Sequence, residues 1–558
     1  MVCPLTQELD GFHPFSLQTI TNAEDNPTYD EAMHGPYADA FRDAMQIEFD
    51  TLNDQMGAWD IVEREPQMNV LSSTWAFKIK RYPDGRIKKL KARFCVRGYE
   101  QIEGVDYFDT YAPVITWTTV RLLLILTVVL GLKSKQVDYT AAFVHAPVEE
   151  DIYVEMPRGF ETPNHVLKLK KSLYGLKQSP RNFFHHLRQG LLLQGFRPSE
   201  FDECLFIHKH LLCVTYVDDC LFFAFHEDDI TSMIKSLRRA KHTFEIEDDI
   251  AGYLGVLLDH NEQDDTITLT QTGLIERIIQ ACNMEDCTPK STPAETKPLP
   301  QNKDGPPAPQ TFNYASVIGM LTYLAGHTRP DIAYAVHQCA RYTFNPKVTH
   351  ENAVKRIVRY LKHTKDKGLI ISKPDDLHIK CFVDADFAGL WTTEDRSDPH
   401  SVKSRTGFVI CVGDIPVIWQ SKLQTEIALS TFEAEYVALS TAMRDVLPFL
   451  NLYKEIITSL HIDAIGEISI NTNTDVYEDN ASCEKLANME MSRYTPQSKH
   501  FGIKYHWFRK KLKPNHIQVK RVETKENIAD IFTKGLRGSA FEYLRFKLLG
   551  WGYIRTTF

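Results

Sequence analysis

Apolar residues recur at helical spacing in some stretches of the chain and alternate in others, and the two patterns predict its elements. Residues 37–53, 114–131 and 181–194 read as helices. Residues 73–81 and 88–96 read as strands joined at a Pro-Asp-Gly turn. The stretch LLCVTYVDDCLFFAF, residues 211–225, is apolar except for Asp218 and Asp219 at its middle, and reads as two β runs meeting at that pair. Further on, residues 314–339 and 351–363 read as helices, and strands follow near 379–383, 407–412 and 417–420. A helix over 431–447 is expected to stop at Pro448, with a strand near 467–474 after it. Three strands, a helix, a strand and a helix suggest a compact mixed α/β domain over about 377–535.

Between these halves lies TPKSTPAETKPLPQNKDGPPAPQTF, residues 288–312, with seven prolines and few large apolar side chains. It is expected to be an extended, exposed linker. Composition adds bounds. A chain of 558 residues, 43% hydrophobic, allows several domains with substantial cores. The longest uncharged apolar run, 122–132, is too short to span a bilayer, and the N-terminus has no secretory pattern. Eleven cysteines stand singly, without zinc-site spacing, and read as reduced thiols of an intracellular protein.

The net charge of −9 is unfavourable to nucleic acid as a partner, but local charge points the other way. Residues 78–93 hold eight Lys/Arg against one Asp, and residues 505–521 interleave bases with aromatics. Such clusters suit phosphate backbones. A solvated hairpin or helix face accounts for them equally well.

Two adjacent carboxylates in an apolar stretch need a reason. Asp favours tight turns, so an ordinary acidic hairpin is one reading. Adjacent carboxylates repel, however, and call for a compensating cation. With a third acid, Asp138 after the β-like run 135–137, the pair could hold Mg²⁺ through hard oxygen ligands. A second acidic series follows the Pro-rich stretch. Asp384 ends a strand. Glu435 falls on the apolar stripe Phe432, Tyr436, Leu439, Met443 of a helix, whereas Glu433 falls off it. Asp479 follows a strand and also suits an N-cap; Asp530 suits a helix's first turn.

Several motifs together carry a family resemblance. TYVDDC resembles the YxDD motif of reverse transcriptases. QVDYTAAFVHAPVEEDIYVEMPRGF, KARFCVRGYEQIEGVDYFDTYAPV and LKKSLYGLKQSPRNFF closely resemble segments of copia-type LTR retrotransposon Pol polyproteins, in the right order. CFVDADFAG, EAEYVAL, DN and ADIFTK resemble the ribonuclease H region of the same elements, and TRPD its connecting region. The similarity runs from about residue 37 to the C-terminus.

The resemblance implies a mixed α+β architecture: a right-hand polymerase of palm, fingers and thumb, followed by a ribonuclease H-like α/β domain. The implied boundaries are an N-terminal extension (1–36), reverse transcriptase (37–287), Pro-rich linker (288–312), connection (313–376), ribonuclease H-like domain (377–535) and tail (536–558). It implies RNA-directed DNA polymerase and RNA/DNA-hybrid ribonuclease activities. A degenerate remnant that only binds nucleic acid is the alternative. Asp138, Asp218 and Asp219 are the implied polymerase metal set; Asp384, Glu435, Asp479 and Asp530 the nuclease set. Each would hold two Mg²⁺, with Mn²⁺ as a substitute. Asp386 is a rival to Asp384.

Phe143 matches the aromatic that excludes ribonucleotides. Arg93, with Lys78 and Lys80, matches the triphosphate grip, and Tyr174 and Gly175 the motif under the nucleotide. Lys88, Lys89, Lys91, Tyr216, Leu254 and Gly255 are implied nucleic-acid contacts, the last two in a primer-grip turn. Glu247 stands where relatives commonly carry Lys, and His500 matches a position of unassigned role. Expected partners are RNA template, DNA primer, RNA/DNA hybrid and dNTPs, with no membrane. Gag, protease and integrase are expected to be missing or encoded elsewhere, the chain being a truncated copy or a mature product, with Gag and integrase as further expected partners. The expected location is a cytoplasmic virus-like particle, the nucleus, or both.

Overall fold

A computed structural model describes residues 25–81, 87–209, 211–240, 242–247, 252–261, 263–374, 376–391, 401–461, 473–489 and 505–551. They fall into two compact units. One takes the described residues of Phe15–Thr116 and Lys133–Asp249; the other takes Trp117–Leu132 and those of Ile250–Phe558.

The first unit holds a six-stranded antiparallel sheet in the order Phe244–Glu247, Lys133–Tyr139, Asp219–Ala224, Leu211–Tyr216, Leu205–His208, Arg197–Pro198. Helices Ser179–Leu193 and Glu227–Arg239 bury Phe183, Leu187, Leu191, Ile230, Ile234 and Leu237 in the same core as Val137, Cys213, Cys220 and Phe222. The strands Leu211–Tyr216 and Asp219–Ala224 lack the alternation of a half-solvated sheet because all but Tyr216 and Asp219 are buried. A second core lies under the hairpin Ser73–Arg81/Ile87–Val96, where Phe41, Trp59, Trp75, Phe77 and Phe94 meet.

The second unit contains a four-stranded sheet in which Thr266–Thr270 pairs with Leu369–Ile371. It also contains a five-stranded sheet in the order Ile415–Leu423, Arg405–Val412, Ile379–Asp386, Thr474–Glu478, Ile517–Arg521. Its last two pairings are parallel. Helix Thr431–Ser459 packs its buried stripe, including Leu439, Met443, Val446, Leu450 and Tyr453, against this sheet.

Several expectations are corrected. The units do not divide at the Pro-rich stretch: chain on either side of it shares one sheet through the Thr266–Thr270/Leu369–Ile371 pair. Helix Trp117–Leu130, expected within the polymerase body, is buried almost all round in the second unit. There its Arg121 guanidinium donates to the carbonyls of Val417, Gly326 and His327 and lies over the Trp419 ring at 4.0 Å. Residues 288–312 form no helix or strand, as expected, yet they are not a free linker. Arg359 donates to the Thr288 carbonyl, Ala308 N to Pro346, Val348 N to Pro306, and Thr292 and Pro293 are buried. The prolines remove backbone donors, so the segment's carbonyls are served by neighbouring side chains and loops.

Pro448 does not end its helix; Thr431–Ser459 passes through it. An interior proline costs about 3 kcal/mol, and the buried stripe on both sides of Pro448 outweighs that. The converse holds at Pro330, where the expected 314–339 helix breaks into Tyr314–His327 and Ala333–Ala340 around a turn. Of the strand expected near 467–474, residues 467–472 lie outside the described residues; a strand spans Thr474–Glu478. The fifth strand, Ile517–Arg521, lies inside the basic patch at 505–521, where no strand is expected.

Candidate functional site

The apolar strands meeting at Asp218 and Asp219 make a two-residue hairpin in which Tyr216 pairs with Asp219. Val217 sits in the turn at φ 50°, a region costly for a β-branched residue, on the order of 1–3 kcal/mol. The neighbouring strand places Asp138 opposite Asp219, and the Asp218 carbonyl accepts the Tyr139 N–H at 2.9 Å. Strand register alone thus brings the three aspartates together. It also puts Glu245 opposite Asp138 on the other side, an acid that no motif had singled out. Like charges in register are unfavourable without a cation. Gln136 Nε2 donates to Asp219 Oδ1 at 3.2 Å. Burial raises the Asp218 carboxyl above its ordinary range, opposed by Arg93 and Lys91.

Around this set stand the other expected residues. Tyr174 meets Phe143 edge-on at 4.8 Å, and Arg93 lies over the Tyr174 ring at 4.8 Å. Burial pushes the Tyr174 hydroxyl up to about 12. Gly175 holds φ +97°, and a Cβ there would lie 1.9 Å from the Val96 carbonyl oxygen, so only glycine fits. Lys78 and Lys91 face each other on the basic hairpin, and Lys89 is exposed. Lys80 and Lys88 lie on its strands, with side chains outside the described residues, as is that of Glu247. His500 lies outside the described residues altogether. Leu254 and Gly255, both at positive φ, form a tight turn in the second unit, where Tyr323 donates to the Leu254 carbonyl at 2.6 Å.

The second acidic set is of another kind. Asp384, Glu435 and Asp479 offer ligand atoms all within 4.8 Å of one another. They come from the sheet's central strand, from the first turns of the long helix, and from the residue after the neighbouring parallel strand. Asp384 and Glu435 are buried, and Glu435 Oε2 receives no hydrogen bond. Burial, reinforced by neighbouring carboxylates, holds the Glu435 carboxyl well above its ordinary range. Asp530 joins them, pushed up to about 7 by burial and by Asp384. Lys534 pairs with Asp530 at 2.8 Å and Asp384 at 3.6 Å, and Thr533 Oγ1 donates to Asp384. Asp386 faces Arg405 across the strands and, pushed up to about 6, flanks the set without sharing its converging ligand atoms. A buried carboxylate oxygen with no donor, among other acids, is the donor chemistry that fits a hard divalent cation.

Residues 56–296 match the family model described as reverse transcriptase (RNA-dependent DNA polymerase). The chain is 31% identical over 539 residues to the retrovirus-related Pol polyprotein from transposon TNT 1-94 of Nicotiana tabacum, a match covering 94% of this chain and 39% of the relative. It is 30% identical over 546 residues to the corresponding polyprotein from transposon RE1 of Arabidopsis thaliana, covering 96% of this chain and 35% of the relative. Its relatives are retrotransposon Pol polyproteins. The copia-type resemblance read from the motifs therefore holds across nearly the whole chain, which spans under two fifths of those relatives' length. A solved foamy viral protease-reverse transcriptase in complex with RNA/DNA hybrid aligns at 12% identity and TM-score 0.42, covering 87% of this chain and 54% of that one, too weak a likeness to bear on function. Among the described residues, no helix is long and apolar enough to cross a membrane.

Proposed function

We propose that this chain is an RNA-directed DNA polymerase with an RNA/DNA-hybrid ribonuclease, built as a right-hand polymerase followed by a ribonuclease H-like domain. The observation that carries the polymerase reading is the strand register that sets Asp138 against Asp219, with Asp218 at the adjoining turn. Divalent cations, when bound, supply charge neutralisation at the reacting phosphate and its leaving group. The chain's own residues do the rest. Asp138 and Asp218 hold the cations, with Asp219 at the edge. Arg93 and the basic hairpin grip the triphosphate of the incoming dNTP, and Phe143, braced by Tyr174, crowds the sugar 2′ position. Positioning and charge account for most of the rate in such chemistry. Lys78, Lys80, Lys88, Lys89, Lys91 and Tyr216 contact primer and template; the Leu254–Gly255 turn is a nucleic-acid contact of the second unit by itself.

In the nuclease, Asp384, Glu435, Asp479 and Asp530 hold the cations that orient a water against the RNA strand. Lys534 and Thr533 keep Asp384 and Asp530 in place. The hybrid is read by shape and backbone. The presence of all seven acids in converging positions counts against a remnant that only binds nucleic acid. Primer extension on poly(rA)/oligo(dT), with Mg²⁺ and with chelator, tests the reading. Extension that requires Mg²⁺ supports it, and a protein that binds the duplex without extending it refutes it.

A further inference from the structure

The acidic set of the second unit contains a residue that none of the motifs assigns. Glu478 is the last residue of strand Thr474–Glu478 and is fully buried, at 0% exposure. Alternation along the strand turns Val476 and Glu478 to one face, away from Tyr477, which stacks on Phe382 at 4.8 Å. Glu478 Oε1 accepts the Asn480 N–H at 3.2 Å. Its Oε2 is buried and without a hydrogen bond, while the Cys483 thiol is a further donor acting on the carboxyl. Glu435 Oε2, on a residue 4% exposed, is likewise buried and without a hydrogen bond. Among the neighbouring charges, Glu478 is the one that acts most strongly on Glu435, and Asp384 and Asp479 both act on Glu478.

Two buried carboxyl oxygens without hydrogen bonds, on residues that face one another electrostatically, are expensive to bury. Lys534 relieves Glu435 only in part, because its ammonium pairs with Asp384 and Asp530. An apolar residue at 478 would fill the same space without that cost. We propose that Glu478 is a fifth carboxylate of the cation-holding set, a positioning residue behind Glu435 and Asp479 that raises the set's affinity for a hard divalent cation. This rests on the nuclease reading above.

The test uses the full chain carrying Asp138→Asn and Asp218→Asn, so that the heat of cation binding comes from the second set. Mg²⁺ and Mn²⁺ are titrated calorimetrically into this protein and into the same protein with Glu478→Gln, a near-isosteric change that removes the charge. The Gln variant is expected to bind the cation about tenfold or more weakly, as outer partners of a metal set typically contribute. Its melting temperature in chelator is expected to equal or exceed that of its parent. Glu478→Asp is expected to restore part of the affinity. If the Gln variant does not fold, Glu478→Thr takes its place. Equal cation affinity with and without Glu478, while Glu435→Gln abolishes binding, overturns the proposal and leaves the nuclease reading standing. Undiminished binding in both variants, or none in the parent, overturns that reading and the proposal with it.

Discussion

The two acidic sets use the same side chains under opposite conditions. At the Asp218 hairpin, Asp138 is exposed, Asp218 and Asp219 are half-buried, and Arg93 and Lys91 act on Asp218. In the five-stranded sheet, Asp384, Glu435 and Glu478 are buried, and Lys534 is engaged by two of the acids. The first set is assembled by one kind of interaction, strand register in an antiparallel sheet. The second is drawn from two parallel-paired strands, a long helix and a short C-terminal helix. The difference teaches that proximity to water sets the electrostatic cost of holding carboxylates together. In the first set burial raises the Asp218 carboxyl against Arg93 and Lys91, whereas in the second burial and neighbouring carboxylates together raise Glu435, Glu478 and Asp530.

The largest expected effect separates the two sets. Asp218→Asn should abolish primer extension, by a factor on the order of a thousand or more, and leave hybrid cleavage intact; Glu435→Gln should do the reverse. Parallel extension and cleavage assays check this, and equal losses of both activities by each variant would collapse the two-site picture.

Next is a packing test within the first unit. Gly175→Ala places a Cβ 1.9 Å from the Val96 carbonyl at φ +97°. It should lower stability by about 3 kcal/mol or more, read as a reduced denaturation midpoint. An unchanged midpoint would mean that the 96/175 contact is soft.

The third sharpens the electrostatic contrast. Asp530 is pushed up to about 7 by burial and Asp384. Below about pH 4 the carboxyl is protonated folded or unfolded. Between about 4 and 7 only the unfolded chain ionises it, so stability without divalent cation falls as pH rises through that window, by at most roughly 4 kcal/mol. Mg²⁺ binds the ionised set, so its stabilising effect should grow over the same range. Thermal melts with chelator and with Mg²⁺ at several pH values check this. A cation effect independent of pH would refute it.

The smallest effect concerns selectivity. Phe143→Ala should raise incorporation of ribonucleotides relative to dNTPs by about tenfold or more while extension with dNTPs continues, because the ring braced on Tyr174 is removed. Nucleotide competition assays read it, and an unchanged ratio would make Phe143 a packing residue alone.

Much of this molecule was legible in one dimension because its signals are local. The apolar runs flanking Asp218 and Asp219, the stripe that carries Glu435 and the hairpin at 73–96 follow from periodicity and turn chemistry, which act within a few residues. The motif series, taken in order, pointed to both acidic sets and to the family resemblance. What tertiary structure alone decided depends on contacts between residues far apart. Glu245 and Glu478 join the acids through pairing partners that no local pattern reveals. Pro448 stays inside its helix because burial on both sides outweighs a local penalty. Helix Trp117–Leu130 and the Pro-rich segment find their places through Arg121, Arg359 and shared strands. Local propensity costs fractions of a kcal/mol to a few, and burial of an apolar face against a sheet exceeds it, so the long-range term has the final word wherever the two disagree.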